Sequence, residues 1–412
     1  MKLKLHWKIF IGMALGATLA FVSPEAAMRV SPLGDIFMRL LKMVIVPLIF
    51  TSITAGVAGI GDSRSLGRLG AKTFLYYMLT SLLAITVGLT LTNSIKPGVG
   101  LVVAQEQMIS PEDLEQAGSV ADILLRIIPV NPVQAAASGD ILGIIFFAIF
   151  FGFALTRLPK AQAEPVLSFF QSAFEAMMKV THAVISLAPI GVFGLISRAV
   201  VSMGGELFQA VGLYMVTIGA GLSIHFLVVL PTLFFILTRR NPLDHYKAMA
   251  AVMAMAFSAS SSSATLPLTL EAVEKKAGVS NKISSFVLPM GATINMDGTA
   301  LYECAGVLFI AQALGIDLSF GQQVVVVITA LLASIGAAGV PSAGLVMIFI
   351  VLEAVNITTP AAYALVGVML AVDRPLDMYR TVVNVTSDSI GAVSIAHSEG
   401  EELNYRRWGE DG

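Results

Sequence analysis

Six apolar runs, at residues 5–22, 36–58, 70–95, 140–157, 166–200 and 206–238, are each long enough to cross the roughly 30 Å hydrocarbon core of a bilayer as a helix. Backbone amides find no water at that depth, so each run must satisfy its hydrogen bonds within itself. The fold class that follows is an all-α polytopic membrane protein. Composition agrees: 13% of the 412 residues are charged, where a soluble domain carries about a quarter. The first run follows Lys2, Lys4 and Lys8 and leads at once into further apolar segments, so it reads as a spanning helix rather than a signal peptide.

The loops alternate in charge. Lys2, Lys4 and Lys8, then Arg64, Arg68 and Lys72, then Arg157 and Lys160, then Arg239 and Arg240 recur at every second gap. The 96–122 loop instead carries Glu106, Glu112, Asp113, Glu115 and Asp122. The positive-inside rule therefore predicts a cytoplasmic N-terminus and an external 96–122 loop. Overall charge is −2 with no basic block, which excludes a nucleic-acid partner. The single Cys304 excludes an internal disulfide and a cysteine metal cluster, and its apolar setting reads as an inert buried thiol.

Beyond residue 240 the apolar segments 250–270, 284–314, 323–352 and 361–396 are broken by serine, glycine, proline and acidic residues. Polar backbone at membrane depth is tolerated only where protein or a water-filled cavity covers it. This half therefore reads as the working part and the first half as scaffold. Around 258–267 (SASSSSATLP) and 334–344 (SIGAAGVPSAG), a flexible tip separates two apolar arms of about ten to fifteen residues, too short to span at 1.5 Å per residue. Both read as re-entrant hairpins. Their matched positions suggest inverted repeats with a site at midplane.

The main chemistry lies in 371–396. At about 100° per residue with Asp377 at zero, Asp373 falls near −40°, Arg380 near −60°, Thr381 near +40°, Asn384 near −20° and Asp388 near +20°. Charges on one face of a membrane helix are costly and functional by default; the competing reading is an ion-pair network that staples helices. Pro375 removes a backbone donor beside the stripe. Arg380 offers a fork of donors for a carboxylate, and Asp377 a fixed anion for an ammonium group. An acidic amino acid satisfies both. A dicarboxylate without an amine leaves Asp377 unpaired.

In GATINMDGTALYE (291–303), Asn295, Asp297 and Gly298 interrupt an apolar helix. Freed carbonyls with Asp297 form a hard-oxygen nest suited to sodium; a simple glycine kink is the alternative. Ser260–Ser263 offer hydroxyl and amide donors for a carboxylate, or merely a polar loop. Glu303 is a proton-carrier candidate, or a glutamate bonded to a neighbouring helix. His182 and His225 read as packing residues. No glycine-flanked nucleophile or paired histidine supports a hydrolase.

NMDGT, SSSSATLP, SIGAAGVP-AG and D-LDMYRT--NVT-D, in order, together with KPG at 96–98 and IPVNP at 128–132, resemble the dicarboxylate/amino acid:cation symporters, the glutamate transporter family. The resemblance runs through nearly the whole chain. It implies a homotrimer in the cell's plasma membrane, both termini cytoplasmic, with eight transmembrane helices and two re-entrant hairpins in inverted repeats. It divides the chain into scaffold helices 1 and 2 (1–69), transport-domain helix 3 (70–95), an external loop with scaffold helices 4 and 5 (96–200), transport-domain helix 6 (201–240) and a transport-domain core (241–412) that moves like an elevator.

The resemblance assigns the substrate side-chain carboxylate to Arg380 and its amino group to Asp377. Thr299, Thr381 and Asn384 complete the pocket. Ser261, Ser262 and Ser263 at the first hairpin, with Val340, Ser342, Ala343 and Gly344 at the second, close over it. One sodium would be held by Asp388, Asn384, Gly291 and Asn295. A second would take Tyr77, Thr80, Ser81, Asn295 and Asp297. A third would take Thr293 and Met296 with backbone of Ser334, Ile335 and Ala337.

The implied activity is sodium-driven uptake of glutamate or aspartate without an organic cofactor, with protons as a further coupling ion. Alternatives of the same fold are a proton-only symporter and a C4-dicarboxylate or neutral amino acid carrier. A channel or an intramembrane enzyme would need a continuous pore or a catalytic pair, and neither is visible. Two departures stand out. Ser260 and Met378 occupy the positions where relatives often carry a pocket arginine, for which Arg374 is a substitute. Glu303 resembles the glutamate of proton-coupled animal members.

Overall fold

The structure, a computed structural model, describes residues 5–58, 64–101, 128–138, 141–336 and 343–403, and these contain helices and no strands. Most of the acidic 96–122 loop, and the hairpin-tip residues Ala337, Val340 and Ser342, lie outside them.

Helices α1 (Leu5–Val22), α2 (Pro24–Ala58), α5 (Ile141–Thr156), α6 (Lys160–Ser186) and α7 (Ala188–Met203) pack together as one group, with the short α4 (Pro132–Ser138) against α5. Small residues set their spacing. A methyl group on Gly16 would meet the Phe193 carbonyl at 2.6 Å, and one on Gly194 the Gly34 nitrogen at 2.7 Å. Such close backbone approach is what holds membrane helices together where lipid supplies no hydrophobic drive.

The second group is built on α14 (Asp297–Ala313) and α17 (Pro360–Ser398), both buried over nearly their whole length. Against them lie α3 (Arg64–Ile95), α8 (Glu206–Ile224) continued through a π turn (His225–Val229) into α9 (Leu230–Thr238), and the helices that follow the short α10 (Pro242–Ala248). The first hairpin is α11 (Ala250–Ala259) and α12 (Ser262–Ala277). Its tip is Ser260, left-handed at φ 49°, and Ser261 caps α12 by accepting from Ala264 N at 3.2 Å. The second is α15 (Phe320–Gly336) and α16 (Ala343–Ala354). At 16 and 17 residues, α12 and α15 exceed the expected arm length but still fall short of a crossing. Between the hairpins, α13 (Asn281–Ile294) and α14 are separated by Asn295 and Met296, both with extended or irregular backbone. The two groups meet chiefly where α7 packs on α17.

Three expected runs differ. α2 begins at Pro24, not 36, because its polar first turns are paired: Arg29 with Glu25 at 2.6 Å, and Asp35 with Arg198 of α7 through two 2.9 Å bonds. α3 begins at Arg64, not 70, with Arg68 and Lys72 bound to Glu399. The run 166–200 is broken at Leu187 with a 51° bend, since Pro189 in the first turn of α7 cannot donate to α6.

By length and hydropathy alone, two described helices, Arg68–Ile95 and Glu206–Thr238, qualify as spans, and the bent pair Lys160–Val201 makes a third. Eight crossings are not reached on that criterion. Of the other long helices, α17 carries charges paired inside the protein, and the stretch 281–313 is halved by the break at Asn295.

Candidate functional site

α17 carries its polar stripe into the centre of the second group, where Asp373, Asp377, Arg380, Thr381, Asn384 and Asp388 are all buried. Arg380 Nη2 donates to Asp377 Oδ1 at 2.7 Å, its Nη1 stands 3.1 Å from Asp373 Oδ1, and its guanidinium lies 3.8 Å over the Tyr302 ring. Burying a guanidinium costs several kcal/mol unless it is paired in this manner. These ion pairs all run within α17, so they pair the stripe along its own helix and staple no two helices together; Asp377 and Arg380 are each other's partners. Arg374 Nη1 lies 3.6 Å from Asp377 Oδ2. Gly344 of α16 faces the same group: a methyl there would touch Thr299 at 2.8 Å and lie 3.5 Å from Arg380 Nη1. Asn384 links the stripe to α14, accepting from Gly298 N at 2.8 Å and donating to Thr299 Oγ1 at 3.3 Å. Thr381 is bonded to its own helix through the Asp377 carbonyl. Ser261 and Ser262 are buried at the first hairpin tip, whereas Ser263 is exposed.

The predicted cation ligands converge from α3, the α13–α14 break and α17. Asn295 Nδ2 donates to Asp388 Oδ1 at 2.9 Å and to Ser387 Oγ at 3.0 Å, and its Oδ1 accepts from Thr80 at 3.2 Å. Ser81 donates to Asp297 Oδ1 at 2.8 Å. Tyr77 donates to the Val287 carbonyl at 2.8 Å. A Cβ on Gly291 would stand 2.5 Å from Asp388 Oδ1 and 2.6 Å from the Tyr77 hydroxyl, so only glycine permits this approach. The third set is less converged. Thr293 is exposed with its hydroxyl on the Met290 carbonyl, Ser334 bonds to the Leu331 carbonyl, and Met296 and Ile335 are buried. The helices carrying them, α13 and α15, do pack together.

His225 is buried with a partner the sequence did not indicate: its Nε2 lies 3.0 Å from Asp297 Oδ2, both side chains fully buried. With Ser81 on the other oxygen, both sides of the Asp297 carboxyl group are held. Tyr302 was also missed, although it stands one residue from Glu303 in the motif read for cations. Glu303 is fully buried, and neither carboxyl oxygen has a hydrogen-bond partner among the described residues. The alternative of a glutamate bonded to a neighbouring helix therefore fails there. Cys304 is buried and unpaired, as expected.

Several proteins of known activity are similar over most of their length. The proton/sodium-glutamate symport protein of Bacillus caldotenax is 34% identical, covering 97% of this chain and 96% of the relative. The proton/glutamate-aspartate symporter of Escherichia coli (strain K12) is 35% identical over 97% and 93%. Excitatory amino acid transporter 3 of Oryctolagus cuniculus is 37% identical over 90% and 79%. The model of the sodium:dicarboxylate symporter family matches residues 5–398, which takes in both groups of helices and every element of the site. The chain is a member of the sodium:dicarboxylate symporter family.

Proposed function

We propose that this protein is a secondary active symporter that carries glutamate or aspartate into the cell on a sodium gradient, with a proton carried by Glu303. The observation that carries the reading is the buried Arg380–Asp377 pair beside Gly344 and Asn384. An acidic amino acid supplies a carboxylate for Arg380 and an ammonium group for Asp377. Both charges keep a partner when the ligand separates them, while Asp373 stays on Arg380. Relatives of this length that are glutamate symporters support the same substrate class.

In this reading Thr299, Thr381, Asn384, Ser261, Ser262 and Ser263 border the ligand, and the tip around Val340, Ser342, Ala343 and Gly344 covers it. Sodium is cargo. One ion is held by Asp388, Asn384, Gly291 and Asn295, one by Tyr77, Thr80, Ser81, Asn295 and Asp297, and one by Thr293 and Met296 with Ser334, Ile335 and Ala337. The convergent oxygens of the first two sets support them. The third rests on the packing of α13 against α15. Glu303 suits a proton carrier because an unpartnered buried carboxylate is costly, whereas the acid form is far less so. The two packed groups would be a trimeric scaffold and a transport domain that slides against it. The alternating loop charge supports a cytoplasmic N-terminus, and the family resemblance a cytoplasmic C-terminus.

Purified protein in liposomes tests this. An inward sodium gradient should concentrate L-glutamate or L-aspartate inside, and Arg380→Ala should abolish it. Accumulation indifferent to sodium would sink the coupling, and no uptake of either amino acid would sink the substrate class.

A further inference from the structure

Asp377 stands between two guanidinium groups, not one. Arg380 lies three residues after it and Arg374 three residues before, so both share its face of α17. The two contacts differ in kind. Arg380 is 1% exposed, hydrogen-bonded at 2.7 Å, and held on its other side by Asp373. Arg374 is 27% exposed, and its Nη1 lies 3.6 Å from Asp377 Oδ2, beyond hydrogen-bond range. A partly solvated, loosely paired side chain exchanges partners at little cost. Arg380 is fixed, and Arg374 is free to leave.

The geometry points to Arg374 as a specificity-determining residue that stands in for a ligand's ammonium group at Asp377, so that the pocket also accepts amine-free dicarboxylates. The inference rests on the proposed acidic amino acid site. Without ligand, two carboxylates and two guanidinium groups cancel within the cluster. An acidic amino acid brings its own cation to Asp377, and Arg374 moves aside. A dicarboxylate of the same length brings none. In a pocket lacking Arg374, Asp377 would then face a dianion with only Arg380 between them. The sequence disfavours such ligands because Asp377 would lose its partner, and Arg374 removes that ground.

Equilibrium binding of L-aspartate and of succinate at saturating sodium, to the purified wild type and to Arg374→Gln and Arg374→Lys, tests the inference. The wild type is expected to bind both. In Arg374→Gln the ratio of succinate Kd to aspartate Kd should rise by about tenfold or more, equivalent to about 1.4 kcal/mol. In Arg374→Lys, which keeps the charge, it should stay within about threefold of wild type. A wild type that binds aspartate while succinate neither binds nor competes overturns the inference, whatever the variants do. So does a ratio in Arg374→Gln that moves less than about threefold. A wild type that binds no acidic amino acid overturns instead the proposed function on which this rests.

Discussion

At the scale of single residues, Glu303 is the clearest case of chemistry with no structural excuse. It sits on the most buried helix with both oxygens unpartnered among the described residues. An ionised carboxylate there would cost several kcal/mol. If it takes a proton outside and releases it inside, raising the external pH should slow wild-type uptake. In Glu303→Gln, which keeps the shape without the exchangeable proton, uptake should lose that pH dependence while sodium-dependent binding persists. Uptake measured between mildly acid and mildly alkaline pH decides it; identical profiles in the two proteins would refute the proton role. The sequence made Glu303 legible because a carboxylate in an apolar run is conspicuous. His225 was equally visible, but its partner was not. A neutral imidazole in an apolar run looks like packing until a buried carboxylate is found opposite it, and Asp297 lies 72 positions away.

At the scale of elements, the stripe on α17, the hairpins and the break at Asn295 were all readable, because each is a local conflict between polar residues and membrane depth. Helix ends and bends were less so. Residues 24–35 and 64–69 look too polar to extend a span, but Asp35, Arg68 and Lys72 find partners on α7 and beyond α17. The π turn at His225–Val229 had no sequence signal beyond Pro231, which withdraws a backbone donor at this point. That turn aims His225 at the start of α14. His225→Ala removes one of the two groups that hold the Asp297 carboxyl group, a loss of about 1.5–3 kcal/mol for a bond to a charged partner. The sodium concentration for half-maximal uptake should rise about tenfold. Aspartate affinity at saturating sodium should change far less, because Arg380 and Asp377 lie on another helix. An equal loss of both affinities, measured by binding titration, would argue for general misfolding of the π turn.

At the scale of the whole molecule, two kinds of joint are present. Within the second group, Glu399 clasps the beginning of α3 to the end of α17, with Lys72 Nζ at 2.6 Å and Arg68 Nη2 at 2.5 Å. Lys72 and Arg68 hold its carboxyl below the ordinary range. A folded value below the unfolded one stabilises above the unfolded value, and the benefit is lost as pH falls through the folded one. Glu399→Gln should therefore lower the Tm at neutral pH in low salt. The gap to wild type should close below the ordinary glutamate value of about 4.3. A gap that persists there would mean that packing, not charge, is at work. The joint between groups is of another kind. There α7 and α17 meet through apolar surfaces, with Gly367 of α17 against Leu195 of α7. An apolar face with few directional bonds can slide, whereas the clasp cannot. A Cβ on Gly367 would stand 2.7 Å from Leu195 Cβ. A disulfide needs about 3.5–4.5 Å between Cβ atoms, so the helices need separate by only about 1 Å to accept one. In Leu195→Cys/Gly367→Cys, oxidation should cut sodium-driven uptake by more than tenfold while leaving sodium-dependent binding in place, and reductant should restore uptake. The native Cys304 is buried and poorly placed to interfere. Uptake that continues in protein shown by mass spectrometry to be cross-linked would mean that α7 and α17 travel together, and that the sliding boundary lies elsewhere.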